Sequence, residues 1–214
     1  MSYSRKRGKD EVPKQTFFNL PEEKKATLIR AARKEFSRVP LNDALIANIV
    51  KGAGVSRGSF YQYFEDKDDL YFYLLDKNTE DRWAVFVSEL KKHDGDLFAA
   101  MTGMFYSTLS LINEKDTRDF YSNMFLNMNY KIEKTFKHTV KLEEFNKQMS
   151  NVLPLIQIED LHAANNEELF HMLQITMTIM IQALMLKFAQ ELSDEEAAKH
   201  FELQLKLVKR GFIK

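Results

Sequence analysis

Cysteine is absent from this sequence of 214 residues. Its absence excludes disulfide bonds, thiolate nucleophiles, and zinc or iron–sulfur sites built on cysteine. Glycine and proline are scarce, with 7 and 4 residues against 17 phenylalanines and 10 methionines, which favours long helices over a turn-rich β architecture. With 44% hydrophobic and 29% charged residues, the composition is that of a folded globular protein of one or two domains.

The chain also lacks a net charge, because 31 lysines and arginines balance 31 aspartates and glutamates. Taken alone, this balance argues against a polyanionic partner. It is uneven along the chain, since residues 1–77 carry 15 basic and 11 acidic residues, a net of +4, and the remainder a net of −4. We interpret residues 1–19 as a flexible basic arm and the basic first third as a nucleic-acid contact surface. A solvated tail without a partner is the alternative. The basic residues of the arm are Arg5, Lys6, Arg7, Lys9 and Lys14.

Long apolar runs are nearly absent as well. The N-terminal basic residues are followed by polar residues, so we expect no secretory signal. One stretch, Met172–Phe188, is apolar enough to suggest a membrane span, but only 15 residues separate His171 from Lys187. A bilayer needs roughly 20. We interpret this stretch as a helix buried on two sides, in a bundle or a subunit interface, and predict a cytoplasmic protein with no membrane partner.

Helical spacing dominates the rest of the chain. Pro21 begins a helix whose apolar side chains Leu28, Ala32 and Phe36 share one face. Val39-Pro40 ends it, because the residue before a proline resists the α conformation. Capping residues predict the starts of later helices, and no alternating strand pattern is present. The predicted caps are Asp66, Asp96, Asn165 with Glu168, and Ser193 with Glu196.

A second helix, a glycine-containing turn and a short third helix are predicted between residues 42 and 64. Asn42 is expected to cap the second helix, and Gly52 and Gly54 to break it. Ser56 is expected to cap the third, and this order of elements is a helix-turn-helix. The apolar face of the second helix comprises Leu45, Ile46, Ile49 and Val50, and the third is anchored inward by Phe60 and Phe64.

The short third helix carries the side chains that reading DNA requires. Gly58 and Ser59 are small enough to allow close approach to a major groove about 12 Å wide. Arg57 is suited to guanine or phosphate, and Gln62 to adenine. The remaining donors suit the DNA backbone, and they are Tyr61, Tyr63 and Lys67.

The ordered set of residues resembles the TetR/AcrR family of bacterial transcriptional regulators. The resemblance covers roughly residues 21–75 and implies an all-α protein. A three-helix helix-turn-helix DNA-binding domain is then expected over residues 20–75, and a larger helical bundle for ligand binding and dimerisation over residues 76–214. The matching residues are Leu28-Ile29-Arg30-Ala31-Ala32, Phe36, Ile49, Ala53-Gly54-Val55-Ser56-Arg57-Gly58-Ser59-Phe60-Tyr61-Gln62-Tyr63-Phe64, Lys67 and Leu70.

The resemblance also implies partners and contact residues. Double-stranded DNA with a palindromic operator is the expected partner, and Tyr63 stands where a histidine is common in the family. The basic arm is a candidate for additional minor-groove contacts. The predicted DNA-contacting residues are Asn42, Ser56, Arg57, Gly58, Ser59, Tyr61, Gln62, Tyr63 and Lys67.

In the second domain, the resemblance implies a pocket for a small hydrophobic effector and a homodimer formed by the last two helices. Large, adaptable apolar side chains at helical spacing are compatible with such a pocket, although packed core is the alternative for each of them. The pocket candidates are Trp83, Met101, Met104, Phe105, Tyr121, Met124, Phe125, Met128 and Met177. The dimer-interface candidates are Ile179, Ala183, Leu186, Phe201, Leu205 and Val208.

Catalytic and metal-binding patterns are missing. Glu168 and His171 have the Glu-x-x-His spacing of a di-iron bundle, but the chain holds no second copy. We therefore predict no catalytic residue, no metal and no cofactor. The main prediction is a homodimeric, ligand-responsive DNA-binding regulator, most simply a repressor. The alternative is a helical small-molecule-binding or enzymatic bundle whose helix-turn-helix resemblance is accidental.

Overall fold

The computed structural model describes residues 5–7, 10–127 and 151–214. Over these residues, the regular elements are two short strands, one 3₁₀ turn at Leu153–Leu155 and nine helices, which are numbered in chain order. The elements are β1 (Arg5–Arg7), β2 (Asp10–Val12), α1 (Gln15–Phe18), α2 (Glu22–Arg38), α3 (Ile46–Ala53), α4 (Arg57–Tyr63), α5 (Lys67–Lys92), α6 (Leu97–Ile112), α7 (Lys115–Leu126), α8 (Asn166–Ala189) and α9 (Asp194–Phe212).

Most predicted helix starts are confirmed by side-chain caps. The Ser56 hydroxyl accepts a hydrogen bond from the Ser59 amide at 3.0 Å, and the Asp96 carboxylate accepts from the second and third residues of α6. Asn165 caps α8. Ser193 and Glu196 form a complete capping box at the start of α9. Each cap satisfies an amide that the first helical turn leaves without a partner.

The predicted start of the second helix is wrong. Residues 41–43 form a turn, α3 begins only at Ile46, and the side chain of Asn42 caps nothing. Leu45, predicted on the apolar face, occupies the extended position before the helix and is 56% exposed. At the other end, α3 runs through Gly52 and ends at Gly54, whose φ of +65° is the left-handed conformation that glycine adopts without strain.

The described residues of the predicted arm include regular structure. β1 and β2 pair antiparallel, with Arg5 opposite Val12 and Arg7 opposite Asp10. The short helix α1 follows, and Phe17 within it is fully buried. The packing of the chain therefore begins before residue 20, where the predicted DNA-binding domain starts.

The described chain divides into two compact units. The first comprises the described residues up to Thr79 together with Glu114–Asn127, and the second comprises Glu80–Asn113 and residues 151–214. This division differs from the predicted boundary at residue 75, because α7 packs on α2 in the first unit. The side-chain amide of Asn123 donates to the carbonyls of Phe36 and Ser37 at 3.0 and 2.8 Å, which caps the C-terminal end of α2.

In the second unit, α6, α8 and α9 pack against one another. Phe105 of α6 stacks on Phe201 of α9 with ring centroids 4.1 Å apart. Helix α8 has 24 residues, more than the predicted span. Among the described helices, it is the one long and apolar enough by composition to cross a membrane, and 39% of its most apolar stretch is buried.

Candidate nucleic-acid interface

The helix-turn-helix is formed by α3, the turn at Gly54 and α4. Ile49 on α3 and Phe60 on α4 are completely buried, as is Phe64, which follows α4. The prediction that the two phenylalanines anchor the short helix is confirmed. Because these anchors lie on one side of α4, its polar side chains lie on the other side, towards solvent.

The residues at the N-terminal end of α4 are small or exposed. Arg57 and Gly58 are exposed, and a Cβ built at Gly58 would meet only the Ser56 hydroxyl, at 3.7 Å. Ser59 is half-buried, and its hydroxyl lies 2.8 Å from that of Ser56. Among the described residues no packing requires a glycine here, and the missing side chain leaves an open surface.

Arg57 and Tyr61 form a pair on the exposed side of α4. The guanidinium Nη2 of Arg57 lies 3.4 Å from the Tyr61 hydroxyl, and its Cζ lies 5.9 Å from the centre of the tyrosine ring. Tyr61 is itself 39% exposed. A planar guanidinium held over a ring keeps its fork of donors ordered, which suits bidentate contacts with guanine or phosphate.

The other predicted contact residues are placed differently. Gln62 is exposed, whereas Tyr63 is half-buried beside Phe17. The ammonium of Lys67 donates to the backbone carbonyls of Asn42 and Ala44 at 2.6 and 2.8 Å. Lys67 therefore ties the start of α5 to the turn before α3. It retains one further donor, because an ammonium group has three.

Glu35, which was not among the predicted site residues, joins α2 to α3. Its side chain is only 4% exposed and accepts hydrogen bonds from the Arg38 guanidinium, the Leu45 amide and the Asn48 side chain. These contacts, with that of Arg38 the strongest, lower the pKa of Glu35 to about 2. Glu35 falls on the same stripe as Leu28, Ala32 and Phe36, and a charge in an apolar stripe is the signal that was overlooked.

Residues 14–17 contact α4, which the sequence did not predict. The backbone amide of Lys14 donates to the Tyr63 carbonyl at 2.9 Å. Phe17 packs against the ring of Phe64, with centroids 5.0 Å apart. No sequence signal identifies these long-range partners, because nothing in the spacing connects residue 14 with residue 63.

The predicted pocket residues divide between the two units. Met101, Met104 and Phe105 are buried in the second unit, where Trp83 and Met177 are half-buried. Met128 lies outside the described residues. The predicted set is thus not gathered in either unit. Its members buried in the first unit are Tyr121, Met124 and Phe125.

A polar cleft of about 620 Å³ lies between α6 and α9 in the second unit, and none of the predicted pocket residues lines it. Across it, the Tyr106 hydroxyl donates to Glu202 at 2.6 Å, and this hydrogen bond raises the pKa of Tyr106. Asn113 donates to Asp194 at 2.7 Å. The described residues contain no group of three or more histidine, aspartate or glutamate side chains that could hold a metal ion.

The predicted dimer face needs correction. Leu186 and Val208 are half-buried, and the other four candidates are buried in the interior of their own unit: Ile179, Ala183, Phe201 and Leu205. These four side chains pack inside the unit, so they are not available to a second copy. The large apolar side chains that α8 and α9 expose are Ile175, Leu203 and Leu207.

These features define a class of protein: a molecule that is predominantly helical over its described residues, with a helix-turn-helix whose second helix is anchored inward and polar outward, and with a second helical unit. Two family profiles match the chain, one for bacterial regulatory proteins of the tetR family over residues 28–74 and one for the tetracyclin repressor-like C-terminal domain over residues 96–212. The chain belongs to the TetR family of transcriptional regulators.

Individual relatives agree with this assignment. The chain is 44% identical over 64 residues to the HTH-type transcriptional regulator HbdR of Aromatoleum sp. (strain CIB), a match covering 30% of this chain and 28% of that protein. It is 40% identical over 53 residues to the uncharacterized regulator YdgC of Bacillus subtilis (strain 168), covering 25% of this chain and 27% of that one. The matches thus span less than a third of these curated relatives.

Solved structures share the fold over nearly the whole chain. The SmeT–triclosan complex superposes with a TM-score of 0.63 at 15% identity, covering 90% of this chain and 92% of that one. A putative transcriptional regulator from Pseudomonas aeruginosa PAO1 gives a TM-score of 0.61 at 18% identity, covering 92% and 96%. At these identities, the similarity concerns the fold.

Proposed function

We propose that this chain is a sequence-specific DNA-binding repressor that acts in the cytoplasm as a homodimer on a palindromic operator. The observation that carries the proposal is the arrangement of α4, in which Phe60 is fully buried while Arg57 and Gln62 are exposed. A helix held in this way can enter a major groove and present its donors to base edges. The +4 charge of residues 1–77 supports attraction to the phosphates.

Selection of bound sequences from random double-stranded DNA tests this function. We expect an inverted repeat, because a two-fold symmetric dimer reads two identical half-sites. Affinity should fall steeply with salt, with a log–log slope of roughly −0.9 for each phosphate neutralised. A helical enzyme or ligand-binding bundle, the rival function, would enrich no sequence. That result would remove the proposal.

The exposed apolar side chains of α8 and α9 support the homodimer. Leu203 and Leu207 are 57% and 55% exposed and lie four residues apart, so they form one stripe on α9. Ile175 is exposed on α8, which packs against α9. A second copy of the same surface would bury these side chains, as a two-fold interface requires.

Analytical ultracentrifugation tests the dimer and its face together. The unaltered chain should sediment as a dimer at micromolar concentration, and a variant combining Leu203→Glu with Leu207→Glu should be monomeric and bind its operator more weakly. Leu126→Glu is a matched control, because Leu126 is equally exposed but belongs to the first unit. A monomeric unaltered chain, or a dimeric double variant, would contradict this part of the proposal.

A small hydrophobic effector is proposed to release the repressor. The buried methionine and aromatic side chains of α6 support it, since methionine adapts its shape to varied apolar ligands. The structurally similar SmeT was solved with triclosan. An effector acts only if it binds the DNA-incompetent state more tightly than the competent one. If no compound in a broad hydrophobic panel, triclosan included, shifts the melting temperature or releases DNA, the effector proposal fails.

A further inference from the structure

The C-terminal end of α4 depends on partners from outside the helix. The helix has only seven residues, and at Phe64 the chain turns to an extended conformation. The Phe64 amide donates to Phe60, so the last three carbonyls of α4 lack amide partners from a following turn. Those carbonyls belong to Tyr61, Gln62 and Tyr63.

All three carbonyls accept hydrogen bonds from the segment around α1. The Lys14 ammonium donates to the Tyr61 carbonyl at 3.1 Å. The Thr16 hydroxyl donates to the Gln62 carbonyl, and the Lys14 amide donates to that of Tyr63. Residues 14–17 therefore act as a clamp on the end of α4 opposite its Ser56 cap.

Phe17 holds the clamp in place. Its ring is fully buried and contacts Phe64 and Tyr73, with centroids 5.0 and 5.2 Å away. The polar donors Lys14 and Thr16, which precede it, are thus attached to the same aromatic core that anchors α4. Thr16 itself is exposed, so water can replace its hydroxyl at the Gln62 carbonyl without leaving a buried group unsatisfied.

We propose that Thr16 and Lys14 are positioning residues that determine how strictly α4 discriminates between DNA sequences. The inference rests on the proposed DNA-binding function. Thr16 fixes the backbone of Gln62, whose side chain is the candidate reader of adenine, and Lys14 fixes its two neighbours. A bidentate contact with a base demands accurate placement, whereas attraction to phosphates tolerates small shifts. Loss of the clamp should therefore reduce discrimination more than non-specific affinity.

The test compares Thr16→Val, which removes the donor at nearly constant shape, with Thr16→Ser, which retains it. Thr27→Val is the matched control, because the Thr27 hydroxyl also donates to a backbone carbonyl, that of Glu23 within α2. Affinity is measured for the selected operator and for random duplex. We expect Thr16→Val to lower the ratio of the two affinities about fivefold, with an unchanged salt slope. Thr16→Ser and Thr27→Val should retain the ratio.

Hydrogen–deuterium exchange of the free protein provides a readout independent of DNA. Amides of residues 60–64 should exchange faster in Thr16→Val than in Thr16→Ser or Thr27→Val. An unchanged affinity ratio, an equal loss for both DNAs, a failure of serine to rescue, or unchanged exchange would each overturn the clamp. If the unaltered chain binds no DNA, the proposed function fails first, and that failure is seen before any variant is compared.

Discussion

The recognition helix α4 and the helix pair α8–α9 are held by different kinds of interaction. α4 has 7 residues and is fixed by two buried phenylalanines and by hydrogen bonds at both ends. α8 and α9 have 24 and 19 residues and are fixed by extensive apolar packing, including the stacked pair of Phe105 and Phe201. A few polar contacts therefore control the placement of α4, whereas many apolar contacts share control of the long pair.

The largest effect is expected from Phe201→Ala. Removing a fully buried aromatic ring that stacks on Phe105 should lower the free energy of unfolding of the second unit by about 3–5 kcal/mol. Lys206→Ala, at an exposed position of the same helix, should change it by less than about 0.5 kcal/mol. Urea unfolding followed by Trp83 fluorescence measures both. Equal effects would mean that the inner and outer faces of α9 have been assigned incorrectly.

The second-largest effect is expected when acid lowers the stability of the first unit by protonating Glu35. Because folding lowers the pKa of Glu35 from 4.5 to about 2, its contribution is fully present above pH 4.5 and is lost as the pH falls towards 2. Glu35 should contribute about 2–3 kcal/mol to the free energy of unfolding. This is less than its whole pKa shift would give, because solvent screens the exposed Arg38 partner.

Urea unfolding followed by circular dichroism between pH 5 and pH 2 checks this expectation. Glu35→Gln should flatten the pH dependence of the first unit, since the amide does not titrate. Glu196→Gln is the control, because Glu196 also has a lowered pKa but lies exposed in the capping box of α9. If both variants flatten the profile equally, the junction of α2 and α3 is not the acid-sensitive point.

The smallest effects are expected at the predicted DNA-contacting side chains. Arg57→Ala and Gln62→Ala should each cost about 1–3 kcal/mol on the selected operator and relax the preference at one position of each half-site. Lys67→Ala should weaken binding to all sequences and reduce the salt slope by about one phosphate equivalent. Lys199→Ala, at an exposed position of α9, should change neither the affinity for DNA nor the salt slope. If Arg57→Ala and Lys67→Ala change sequence preference and salt slope in the same way, the proposed distinction between base contacts and DNA-backbone contacts is wrong.

Features set by residues close together in the sequence could be predicted, whereas features set by distant residues could not. The caps at Ser56 and Asp96 and the helix end at Gly54 depend on residues a few positions apart, and the structure confirms them. Asn42 was misplaced because the amide of Leu45 at the start of α3 is satisfied by Glu35, ten residues earlier. That partner is set by tertiary packing, which no local spacing encodes.

The same reasoning explains the outcome for the last two helices. The stripe of Phe201 and Leu205 and the stripe of Leu203 and Leu207 are both apolar at helical spacing. Periodicity identifies each stripe but does not decide which one faces the interior of the unit. The packing of α6 and α8 against α9 makes that choice.

The amide of Asn123 has a consequence for how far the DNA-reading part can be separated from the rest of the chain. It donates to the last carbonyls of α2, although Asn123 belongs to α7, which lies within residues 96–212, the stretch matched by the C-terminal family profile. Phe120 of the same helix covers Tyr71, with ring centroids 5.7 Å apart. A fragment cut before α7 would lose the Asn123 hydrogen bonds to two carbonyls and expose an aromatic cluster to water, so the molecule does not divide at the boundary between the two family profiles.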